Sequence, residues 1–140
     1  MKTIFARVKP AALLEGDEIR ICYTASRGGC TEAGYKVKKE DLWRPIREGE
    51  TYCGGAQWIV QPDPNQPAET RVPCSPEELA EAIAEKLKDA IARVWSGELF
   101  KATRRKNELV LTCGHDDQTF FPMLNGTQQA GEEVIEIETL

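Results

Sequence analysis

The sequence predicts an α+β fold, a mostly antiparallel sheet carrying one long amphipathic helix on one face. Three observations lead there. Short alternating segments punctuated by glycine, proline and asparagine occupy both halves of the chain, the pattern of strands joined by turns. Between them stands a single stretch of about 20 residues with apolar side chains at helical spacing. The chain has 140 residues, 41% of them hydrophobic, enough for one core and too few for two large ones. A single domain over 1–140 is expected.

The elements follow in order. Lys2–Lys9 alternates imperfectly and stops at Pro10, as a first strand would. After Gly16-Asp17, the run Glu18–Thr24 alternates cleanly, with Ile19, Ile21 and Tyr23 on one face and Arg20, Cys22 and Thr24 on the other. That places the Cys22 thiol on the more polar, accessible side. Residues 26–32 (SRGGCTE) have loop composition, and Gly34–Lys38 resumes the strand to close a loose hairpin. Residues 39–74 form an irregular insertion rich in proline and glycine. Within it Gln57–Gln61 can be a short strand, and QPDPNQPAET (61–70) is an exposed loop. Such a segment can carry recognition or be a plain insertion.

Ser75 to Trp95 is the helix. Ser75 is a good N-cap, Pro76 suits the first helical position, and Glu78 completes a capping box. Leu79, Ile83, Leu87, Ala90, Ile91 and Val94 make one apolar stripe, and Gly97 ends the helix. Glu98–Thr103 and Glu108–Cys113 read as a second hairpin, with Leu109, Leu111 and Cys113 facing the helix. Arg104, Arg105 and Lys106 at its tip read as a solvated turn rather than a nucleic-acid patch. Thr119–Leu124, the polar turn Asn125-Gly126 and a charged last strand, Glu132–Glu138, complete the chain, the last suited to a guarded sheet edge.

The net charge of −5 argues against non-specific nucleic-acid binding, which needs a basic surface. No run of 18 apolar residues exists to span a membrane. Arg7, Lys9 and Glu15 interrupt the opening stretch, so no signal peptide is expected and synthesis in the cytoplasm follows. The five cysteines, Cys22, Cys30, Cys53, Cys74 and Cys113, include no CxxC pair and are odd in number. They are open to three readings: small buried hydrophobes, disulfides formed after assembly or release and partly between subunits, or members of a Cys/His metal site.

Enzymatic readings centre on LTCGHDD, residues 111–117, which holds the single histidine. A nucleophilic cysteine needs a base beside it, and His115 is the only imidazole available to Cys113. Cys113 and His115 could also bind zinc with a distant cysteine, and Asp116 and Asp117 could bind a hard cation. No nucleophile elbow, EF-hand, GxxxxGK[ST] or GxGxxG accompanies them. The expectation is therefore no enzyme, no cofactor and no metal, with Gly114–Asp117 a polar turn.

One order of motifs goes further. GDEIRICY (16–23) leads to Tyr35-Lys36-Val37, then to SPEELAEAI (75–83), and then to Phe100-Lys101-Ala102, Asn107-Glu108-Leu109 and Leu111-Thr112. This resembles a hairpin–helix–hairpin module of tailed-bacteriophage virion structural proteins, among them tail sheath, tubular tail, baseplate and fibre proteins. There a "GD.V.I…Y.Y.V" hairpin precedes an "S…IA.ALA.AI" helix and a hairpin reading like "F.A…GN.V.LTA". The match runs over residues 16–121; it departs in the 39–74 insertion, in Arg105-Lys106 where a glycine usually precedes Asn107, and in the cysteines. The resemblance implies a non-enzymatic virion component of the tail, neck or fibre, made in the host cytoplasm and partnered by its own copies and other virion proteins. It brings no catalytic residues, and oxidising surroundings after lysis would let thiols pair between subunits. The alternative is a small protein- or glycan-binding module that grips its ligand with the 39–74 insertion.

Overall fold

The computed structural model describes residues 2–25, 30–52, 57–61, 63–94, 100–113 and 118–140. Among them ten strands and two α-helices build an α+β fold in which all the strand pairs are antiparallel. The strands are β1 (Lys2–Val8), β2 (Glu18–Ala25), β3 (Cys30–Lys36), β4 (Trp43–Pro45), β5 (Trp58–Val60), β6 (Glu69–Pro73), β7 (Phe100–Arg105), β8 (Glu108–Cys113), β9 (Gln118–Leu124) and β10 (Ile135–Thr139). The helices are α1 (Pro76–Val94) and α2 (Gln128–Val134). Three sheets result, ordered β10-β1-β8-β7, β3-β2-β9 and β4-β6-β5.

The first two sheets and α1 enclose one core. On β1 the residues Ile4, Ala6 and Val8 are fully buried, and so are Leu109 and Leu111 on β8 and Ile19 and Ile21 on β2. This is the period-2 burial of sheets with one wet face. From α1, Leu79, Ala80, Ile83, Ala84, Leu87 and Ile91 enter the same core, each large side chain contributing about 1.5–3 kcal/mol. The helix touches β3 of one sheet and β7, β8 and β1 of the other, so it closes the gap that the strands leave. Val94, placed on the stripe by its spacing, is instead 52% exposed.

The capping box forms as the sequence predicts. The Glu78 amide donates to Ser75 Oγ at 3.2 Å and the Ser75 amide to the Glu78 carboxylate at 3.0 Å. Helix end and Gly97 lie outside the described residues. Three boundaries differ from expectation. β3 starts at Cys30, because Cys30, Thr31 and Glu32 pair with Thr24, Tyr23 and Cys22. The insertion contributes three strands rather than one, although residues 63–68 are indeed exposed. Finally, 128–134 is helical and the last strand begins only at Ile135. Val134 and Ile135 are both buried, a consecutive pair that one strand on one face cannot provide but a helix-to-strand switch can. Asn125 and Gly126, with φ of 50° and 83°, make the tight turn before α2.

Candidate functional site

The insertion is where structure concentrates polar and aromatic groups. Its sheet β4-β6-β5 stands beside the N-terminus of α1. A 3-10 turn, Lys39–Leu42, leads into it, set by Asp41, whose carboxylate accepts from the Lys38 amide at 2.8 Å and from the Tyr35 hydroxyl at 2.6 Å. Burial, followed by the Asp41 contact, pushes the Tyr35 hydroxyl well above its ordinary pKa. At the other end the Cys74 amide donates to the Leu42 carbonyl at 2.9 Å.

Cross-strand partners share a face. Trp58 pairs with Arg71 and Trp43 with Pro73, so Trp43, Trp58 and Arg71 lie on one face, with Arg44 and the buried Val72 on the other. On the helix side Arg44 is the hub. Its two terminal nitrogens each meet a Glu50 oxygen at 2.7 Å, and its Nε lies 2.7 Å from Glu78. Arg47 adds a contact to Glu78 at 2.9 Å, and its backbone amide donates a hydrogen bond to the Glu50 carboxylate at 3.0 Å. The Arg44 fork, with help from the Arg47 amide, lowers the Glu50 carboxyl to about 2. Glu78 therefore both caps α1 and anchors the insertion to it; its pKa is lowered first by the Ser75 backbone bond. Between insertion and helix runs an open cleft of about 400 Å³, lined among others by Asp41, Arg47, Glu81, Glu85 and Arg104.

On the far face the rings of Trp43 and Trp58 meet edge-on at 6.4 Å. Lys39 Nζ sits 5.0 Å from the Trp58 ring centre and the Arg71 guanidinium 5.8 Å from it, both within cation–π range. Arg71 holds Glu69 at 3.3 Å, while its buried Nε has no hydrogen-bond partner among the described residues. Ile59, next in the edge strand and paired with Thr70, is 61% exposed on the opposite face. This constellation was not singled out from the sequence. A signal was present: two of the three tryptophans fall in the Pro/Gly-rich segment, where no core periodicity accounts for them.

The residues singled out from the sequence fare differently. Cys22 is a correction: it is 1% exposed, not accessible. β2 is the central strand of its sheet, and Cys22 sits between its cross-strand partners Glu32 and Phe121 with Sγ 3.9 Å from the Glu32 carboxylate. An intersubunit disulfide can reach it only if the side chains that cover it move aside. Cys74 is half-buried, its thiol directed at the Asp41 carbonyl at 3.6 Å, and burial raises its pKa. Cys53, the side chains of Cys30 and Cys113, and His115, Asp116 and Asp117 lie outside the described residues. The backbone of Cys113 ends β8, opposite Lys2 and Phe100. At the second hairpin, Arg104, Arg105 and Lys106 are exposed, and Arg104 turns back to Glu85 of α1.

Among the described residues no group of three or more His, Cys, Asp or Glu side chains is placed to hold a metal ion, and no helix is long and apolar enough to cross a membrane. No protein-family model matches the chain, nor does any curated protein or solved structure.

Proposed function

We propose that this chain is a non-enzymatic structural component of a bacteriophage-like particle, in the tail, neck or fibre, acting through homo-oligomeric assembly. One observation carries the reading. The segments whose motifs resemble the virion module, β2–β3, α1 and β7–β8, pack in that order around a single core, with α1 seated against strands of both hairpins. That packing leaves β7 and β10 as outer strands of the main sheet, where neighbouring copies can add strands. Light scattering on size-exclusion fractions, with electron microscopy of the same fractions, tests it. Rings, tubes or discrete oligomers are expected; a monomer at every concentration overturns it.

A second reading rests on the Trp58 face. Two cations over one indole, with the Trp43 ring beside it, would suit a module that grips a protein or glycan through the insertion. Binding to a glycan or peptide array that is lost in Trp58→Ala, with the oligomeric state unchanged, would favour it.

A further inference from the structure

The outer face of the four-stranded sheet carries a row of charges that crosses all four strands. With Ile4, Ala6, Val8, Leu109 and Leu111 pointing into the core, Arg7 and Glu108 point outward. The register places Glu136 of β10 beside Arg7 of β1, Arg7 beside Glu108 of β8, and Glu108 beside Arg105 of β7. The row therefore reads minus, plus, minus, plus. Its inner members are engaged: Arg7 reaches Glu108 at 2.8 Å and Glu136 at 3.4 Å. Its last member, Arg105, is exposed and makes no ion pair among the described residues.

The two edges differ in sign beyond this row. The β7 edge and its turn present Lys101, Arg105 and Lys106, all exposed. The α2–β10 edge presents Glu132, Glu133, Glu136 and Glu138, also exposed. Four strands in alternating direction mean that β10 and β7 run oppositely. A second copy continuing the sheet would thus bring its β10 antiparallel to β7 of the first.

We infer that this chain self-associates head to tail, the basic β7 edge of one copy pairing with the acidic β10 edge of the next. The partner is a second copy of the chain, and the inference rests on the homo-oligomeric reading above. Arg105 of one copy then stands beside Glu136 of its neighbour and the charge row continues unbroken. Two-fold pairings are disfavoured by the same charges. β7 on β7 would set Lys101 of one copy against Arg105 of the other, and β10 on β10 would set Glu136 against Glu138, which is destabilising across strands. A contact between unlike edges is heterologous, so it propagates into a ring or a filament.

Two charge-reversed variants test this, Lys101→Glu with Arg105→Glu on one edge and Glu136→Lys with Glu138→Lys on the other. Each is expected to weaken self-association on the order of 100-fold, since like charges now meet across the contact. Mixed one to one, they are expected to co-assemble in alternation, because the acidic β10 edge of the first faces the basic β7 edge of the second and the two reversed edges are complementary as well. The milder Lys101→Gln with Arg105→Gln and the single Glu138→Lys, with circular dichroism on all four, separate edge effects from misfolding. Assembly that persists in the folded single-edge variants, or a mixture that stays monomeric, overturns the edge pairing while leaving the homo-oligomeric reading standing. A wild-type chain that never associates overturns both.

Discussion

Replacing Gly131 by alanine sets helix propensity against packing. Gly131 lies inside α2, is buried, and donates its amide to the Thr127 carbonyl at 3.1 Å. In an isolated helix the change would stabilise by about 1 kcal/mol. Here a Cβ would stand 2.6 Å from Met123 Cα, Met123 N and the Pro122 carbonyl carbon, about 1 Å inside normal carbon contact. All three are backbone atoms of β9, so no side-chain rotation relieves the clash, and α2 must lift. Lifting it drags Val134 and Ile135, 5% and 1% exposed, from the core. Overpacking costs typically 1–3 kcal/mol, and with no rotamer to yield the upper figure applies, about 3 kcal/mol. After the propensity gain, a net loss of about 2 kcal/mol remains, or a fall in Tm of about 4–8 °C for a chain of this size. Urea denaturation followed by circular dichroism measures it, with Gln129→Ala on the exposed side of α2 expected to stay within about 0.5 kcal/mol. A Gly131→Ala variant as stable as wild type, or more so, would refute the close seating of α2 on β9.

The remaining predictions concern the cap, acid and thiols. Ser75→Ala should cost about 0.5–2 kcal/mol in the same denaturation experiment, and an unchanged midpoint would mean that the Ser75–Glu78 box does not hold α1. Glu50 has a folded pKa of about 2 against an ordinary 4.5. A depressed carboxyl stabilises above its ordinary pKa and loses that contribution as pH falls toward the folded value. The stability gap between wild type and Glu50→Gln should therefore be full above pH 4.5 and close toward pH 2; a gap independent of pH would contradict it. Cys22, 1% exposed, should resist a thiol reagent until the chain unfolds, whereas half-buried Cys74 should react slowly in the native state. Mass mapping that finds Cys22 modified as fast as Cys74 would refute its burial.

Short-range rules carried much of this fold. Ser75, Pro76 and Glu78 specify the start of α1 through contacts within one turn, and the period of Leu79, Ile83, Leu87 and Ile91 specifies its buried face. The alternation of β1, β2 and β8 likewise announces which residues enter the core, because a strand with one buried face repeats every second residue. The candidate site was far less legible. Arg44 and Glu50 are six residues apart, and Glu78 follows 34 residues after Arg44; no local period links them.

The sequence by itself thus determined the class of fold, the long helix with its cap, and the faces of the main strands, all consequences of neighbours along the chain. Only the tertiary structure decided the rest. It decided that Cys22 is buried, since whether a polar-looking face is wet depends on what flanks the strand. It decided that 128–134 turns into a helix, seated so close on β9 that only glycine fits at 131. It also decided that Trp43, Trp58, Lys39 and Arg71 form one surface and that Glu136, Arg7, Glu108 and Arg105 form one row. Such groupings are set by strand register between distant segments, and register is a property of the packed sheet rather than of any one stretch of chain.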